Sequence, residues 1–100
     1  MNPTHTVNNA VLCAAALHYG GLDPDRSICL AVSGGLDTDC NGATAGSVLG
    51  IMLGAKRLPT SWTGPLCDTL ISGVDGFGKV RISELAARTE KMMRRKFLSY

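Results

Sequence analysis

The run from Ala43 to Ala55, ATAGSVLGIMLGA, holds thirteen residues and no charged side chain. A helix that crosses a bilayer needs about 20 apolar residues, so this run is too short to be one. Read as a helix it is apolar all round, and such a helix belongs in an interior. Gly42, Gly46, Gly50 and Gly54 recur every four residues and so line one side of it. Glycine costs about 1 kcal/mol relative to alanine at each such position. The row makes sense where another backbone comes close along that side. The expectation is a central glycine-rich apolar helix with neighbours packed tightly round it.

The flanking sequence supplies the neighbours. Thr6 or Asn8 can cap a first helix over Val7 to Tyr19, with Val11, Leu12, Ala15 and Ala16 at helical spacing. Gly20-Gly21 stops it. Asp23 is the expected N-cap of a second helix, with Pro24 at its first position. Ile28, Leu30, Ala31 and Val32 give its apolar face, and Gly34-Gly35 ends it. After Lys56-Arg57, residues 58–62 read as loop and a short helical turn, 65–72 is ambiguous, and 75–78 is a turn. Ser83-Glu84 opens a last helix whose inward side is Leu85, Ala86, Thr89, Met92 and Met93. The whole reads as one all-α domain over residues 1–100, four to five helices, with no strand.

Composition narrows the partners. With 45% hydrophobic and 18% charged residues in a 100-residue chain, there is more apolar side chain than so small an interior holds. A second copy or another polypeptide is expected to cover part of it. A net charge of +2 argues against nucleic acid and against a membrane surface. Cys13, Cys29, Cys40 and Cys67 are scattered with no C-x-x-C pair, which argues against zinc and thioredoxin-like readings. The N-terminal MNPTHTVNNA has no basic stretch leading into an apolar one. A cytoplasmic protein with reduced, mostly buried thiols is expected.

Just ahead of the apolar run stand two acids, in GGLDTDCNG. In an extended segment, residues i and i+2 point the same way. Asp37 and Asp39 can therefore converge on one cation at the start of the central helix. Carboxylate oxygens favour Mg²⁺, Ca²⁺ or Mn²⁺. The alternative is that Asp39 merely caps the helix and Asp37 is solvated. Asp37-x-Asp39-x-Asn41-Gly42 also begins like an EF-hand loop. That loop needs a glutamate at its twelfth position, where Val48 stands, and its ninth is Ala45, so an EF-hand is excluded.

These residues carry a resemblance. GGLDTDCNGATAGSVLG with the following GA, LPTSW and PL resembles the C-terminal part of the ADP-ribosylglycohydrolase family, as do HTVNNAVLCAAALHYGG and ISELAARTEKM. It extends over residues 4 to 93. The resemblance implies an all-helical fold and removal of ADP-ribose from proteins or small molecules, with two divalent cations, Mg²⁺ or Mn²⁺. It implies Asp37 and Asp39 as metal ligands and Thr38 and Asn41 as candidate substrate-binding residues. Cys40 stands where a metal-binding hydroxyl is frequent, although a neutral thiol is a poor partner for Mg²⁺. Leu36 replaces a common aromatic. Family enzymes are longer and draw further ligands from an N-terminal half. The expectation is therefore a truncated domain without hydrolase activity by itself, completed if at all by homo-oligomerisation or a separate N-terminal partner. The non-catalytic alternative is an interaction module. Asp23, Asp25, Asp68 and Asp75 are further ligands only by elimination.

The remaining candidates have plain readings. His18 suits a helix C-terminus and His5 lies in the polar lead-in. Trp62 suits a core or interface anchor. Lys91, Arg94, Arg95 and Lys96 suit the solvated end of the last helix, with Phe97, Leu98 and Tyr100 able to dock on a neighbour. Cys40, beside a helix N-terminus, is a candidate for a lowered pKa.

Overall fold

The computed structural model describes residues 5–97, so the expectations for Leu98 and Tyr100 lie outside it. Most of the described chain is helical, as expected, and it divides into two compact units, Met1–Pro59 and Thr60–Tyr100.

The first unit is three helices: α1 (Thr6–Gly20), α2 (Pro24–Ser33) and α3 (Thr38–Leu53). His5, not Thr6 or Asn8, caps α1, its Nδ1 accepting the Val7 N–H at 3.3 Å. Gly21 in the left-handed region ends α1. Asp23 caps α2 as expected, accepting from Asp25 N–H at 3.0 Å and Arg26 N–H at 3.4 Å, and Pro24 follows. Gly35, with φ of 70°, lets the chain turn back into α3.

Each helix buries a narrow stripe of small residues. On α1 it is Asn9, Cys13, Ala16 and Gly20; on α2, Pro24, Ser27 and Ala31; on α3, Asn41, Ala45 and Leu49. Ala16, Ala31 and Ala45 meet at the centre, with Leu17 packed against them. Short side chains at the crossing let three helices share so thin a core.

α3 touches both α1 and α2, but it is not enclosed on every side. Ala43, Thr44, Ser47, Ile51 and Met52 are exposed, Ile51 at 86%. The glycine row does not meet a neighbouring backbone either. A Cβ on Gly42 would meet Val32 Cγ2 at 3.1 Å, one on Gly46 would meet Ile28 Cδ1 at 3.8 Å, and one on Gly50 would meet nothing. The row lies beside the buried stripe, one residue further on. Gly54 lies past the helix end with φ of 79°.

The second unit holds a one-turn helix, α4 (Thr60–Thr63), and a 3₁₀ turn at Gly64–Leu66. A two-stranded antiparallel hairpin follows, β1 (Thr69–Ile71) and β2 (Lys79–Arg81), then α5 (Ile82–Phe97). The pairing runs Thr69–Arg81, Leu70–Val80, Ile71–Lys79. This hairpin corrects the expectation of no strand: three-residue strands are too short to show alternation, and β1 falls in the segment left ambiguous. Asp68 anchors α5 from a distance in sequence. Its Oδ1 accepts the Ser83 N–H at 2.8 Å, its Oδ2 accepts the Ser83 hydroxyl, and its backbone carbonyl accepts the Ile82 N–H at 3.0 Å. The Arg88 guanidinium lies 4.9 Å over the Phe77 ring. Leu85 is half-buried, but none of the expected inward residues of α5 is buried: Met92 and Met93 stay 58% and 47% exposed.

Candidate metal centre

The chain turns into α3 at Asp37, which occupies the N-cap. Thr38 is the first helical residue, Asp39 the second and Cys40 the third. Asp37 has φ of −84° and ψ of 78°, and its side chain does not cap a backbone N–H of α3. It turns instead toward its neighbours. One ligand atom each from Asp37, Asp39 and Cys40 lies within 4.8 Å of the others, and among the described residues no other three acid, thiol or imidazole side chains gather so.

The acids therefore converge, though not as a pair in an extended segment. One sits on the cap and the other in the first turn. Both lie where the free N–H groups and the dipole of a sixteen-residue helix favour negative charge. A hydrogen bond with Asp37, then others from the backbone N–H groups of Cys40 and of Asp39 itself, holds the Asp39 carboxyl below the usual carboxylate range. Cys40 is pushed the other way. Its thiol hydrogen-bonds Asp37, and both carboxylates repel a thiolate, so its pKa rises. The lowered value for which Cys40 was a candidate is not found: the two acids outweigh the helix end.

Asn41 faces inward and is 3% exposed. Its Nδ2 donates to Asn9 Oδ1 at 2.6 Å, and its Oδ1 accepts the Cys13 thiol at 3.3 Å. Burial raises the Cys13 pKa, which keeps that thiol a donor. Asn9 Oδ1 also accepts the Asp37 N–H at 3.0 Å, and Asn9 Nδ2 donates to the His5 carbonyl at 2.8 Å. An open cleft of about 320 Å³ runs along this seam, with Thr6, Asn9 and Cys13 of α1 on one wall and Asp37, Cys40 and Thr44 on the other.

A family model described as ADP-ribosylglycohydrolase matches residues 3–97. The chain belongs to the ADP-ribosylglycohydrolase family. Comparison with curated proteins and with solved structures finds no match.

Metal dependence is general among ADP-ribosylglycohydrolases, and the donor chemistry here accords with it in part. Two carboxylates supply hard oxygens suited to Mg²⁺ or Mn²⁺. The third group is a thiol held neutral, which suits neither ion. Two carboxylates and a neutral thiol are too few donors to close two octahedral coordination shells. The other aspartates lie elsewhere: Asp23 caps α2, Asp68 caps α5, Asp25 lies in the first turn of α2, and Asp75 is exposed in the hairpin loop.

The histidines are both exposed, His5 as the α1 cap and His18 in its last turn with its ring edge-on to Tyr19. Trp62 is 41% exposed on α4. The thiols depart from expectation: Cys13 is buried, while Cys29, Cys40 and Cys67 are exposed. Sequence reading missed Asn9. In NNA it looks like one more polar residue before an apolar helix, and only its spacing of four and seven from Cys13 and Ala16 hints at a buried face.

Proposed function

We propose that this ADP-ribosylglycohydrolase domain binds one hydrated Mg²⁺ or Mn²⁺ through Asp37 and Asp39, and that Cys40 approaches the ion without replacing a hard ligand. The carrying observation is the convergence of the three side chains at the head of α3. Thr38 and Asn41 are proposed to shape the substrate side: Thr38 from the first helical position, Asn41 by fixing the seam behind it. A bound divalent ion polarises the bond to be cleaved and lowers the pKa of its water. The residues described here orient that ion but supply too few carboxylates for a pair of ions. We therefore propose that removal of an ADP-ribosyl group needs further ligands from a second copy of the chain or a separate polypeptide, and that these residues alone do not hydrolyse.

Mn²⁺ titration tests the metal half. At ten times its Kd, Mn²⁺ should raise Tm by about 5 °C in the wild type and leave Asp37→Asn/Asp39→Asn unmoved. Equal melting in both proteins at millimolar metal removes the site. Release of ADP-ribose from a modified protein tests the other half. Turnover by the purified chain as a monomer would overturn the proposed need for completion.

A further inference from the structure

We infer that Asn9 is the positioning residue of the carboxylate cluster, resting here on the proposed metal reading. Asp37 precedes α3, so its N–H has no partner inside that helix. It donates instead across the fold to Asn9 Oδ1 at 3.0 Å, from a residue 28 positions earlier. The same oxygen accepts Asn41 Nδ2 at 2.6 Å. One side-chain carbonyl on α1 thus holds the cap residue and the fourth residue of α3 together. The amide orientation is fixed by its partners. Two N–H donors face one atom and a carbonyl, that of His5, faces the other. A reversed amide would set donor against donor and oxygen against oxygen.

Asn9 is itself held in place. It is nine-tenths buried on the α1 stripe, its Nδ2 is tied to the cap residue of its own helix, and it forms a wall of the cleft. No oxygen of Asn9 is needed as a metal ligand. Its role is to pin the Asp37 backbone so that the carboxylate turns toward Asp39 and Cys40. Removing a residue that orients a metal ligand typically costs 10–100-fold in metal affinity.

Amide exchange and Mn²⁺ binding on the full chain test this together. In the wild type without metal, the Asp37 N–H should exchange at least about 100-fold more slowly than an unstructured amide. Exchange at the unstructured rate overturns the clamp, with no variant required. In Asn9→Leu, near-isosteric but without the acceptor, that protection should vanish while the amides of α2 and the middle of α3 keep theirs. Mn²⁺ Kd should rise about tenfold or more. Asn41→Leu is the control. It breaks the other bond to Asn9 and should cost stability, yet leave the Asp37 N–H protected. If Asn9→Leu keeps both Asp37 protection and Mn²⁺ affinity, Asn9 is merely a core residue. If the wild type binds no Mn²⁺ but shows the protected amide and its loss, the metal reading fails and the clamp stands.

Discussion

Ser27 shows how tightly single residues fix the helix crossing. Its side chain is fully buried and its hydroxyl has no hydrogen-bond partner among the described residues. A Cβ placed on Gly20 would collide with that hydroxyl, so glycine stands there to let α1 and α2 close. Ser27→Ala removes a stranded polar group and should stabilise by about 1 kcal/mol in urea unfolding. Gly20→Ala should destabilise by about 1–3 kcal/mol through overpacking. A loss of stability in Ser27→Ala would mean that the hydroxyl has a partner after all. Cys40 gives a second prediction at this scale. Since Asp37 and Asp39 hold its thiol in the protonated form, Asp37→Asn/Asp39→Asn should speed its alkylation by iodoacetamide at pH 8 several-fold, read by mass spectrometry of the Cys40 peptide. An unchanged rate would show that the acids do not control the thiol.

At the scale of elements, α3 and α5 each carry a testable device. The Gly46 and Gly50 positions leave room for a methyl group, so alanine there should gain up to about 1 kcal/mol each from helix propensity. Destabilisation on thermal melting would instead mean that something packs on the row. α5 depends on Asp68, held in a left-handed conformation with φ of 51° just after Cys67 at 50°. The Ser83 hydroxyl first, then its backbone N–H, keep the Asp68 carboxyl below its ordinary pKa. A depressed folded pKa stabilises above the unfolded value, about 3.9, and that stability fades as pH falls through the lower folded value. The wild type should therefore be more stable than Ser83→Ala at pH 7, and the gap should narrow as pH drops below about 4. A gap constant across pH would mean that the cap does not act through the ionised carboxylate.

For the whole molecule the imbalance lies between apolar content and interior. Among the described residues the buried hydrophobics are Cys13, Ala16, Ala31, Ala45, Leu49 and Val80, four of them no larger than cysteine. Val11, Tyr19, Ile51, Met52, Ile71 and Phe97 are exposed, each by more than half. Large exposed apolar side chains in such number suit a surface that another chain covers. If a second copy does so, Tm should rise with protein concentration and light scattering should give a multiple of 10.5 kDa. A mass of 10.5 kDa at every concentration would leave a different polypeptide as the cover. No helix among the described residues is long and apolar enough to cross a membrane.

The sequence by itself determined the helices and the chemistry offered at their ends. Asp23-Pro24 and Gly20-Gly21 are local signals, since caps and breakers act within one turn, and they read true. So did the placing of Asp37 and Asp39 at the head of the apolar helix, because a motif is contiguous in the chain. Tertiary structure decided what lay beyond one turn. The apolar run of α3 looked interior throughout, but only the stripe from Asn41 through Leu49 is buried, because burial depends on what packs opposite. Asn9 reaches Asp37 and Asn41 across 28 and 32 positions, and no local pattern encodes that contact. The carboxylates come from the sequence; the packing of α1 against α3 supplies the oxygen that accepts the Asp37 N–H.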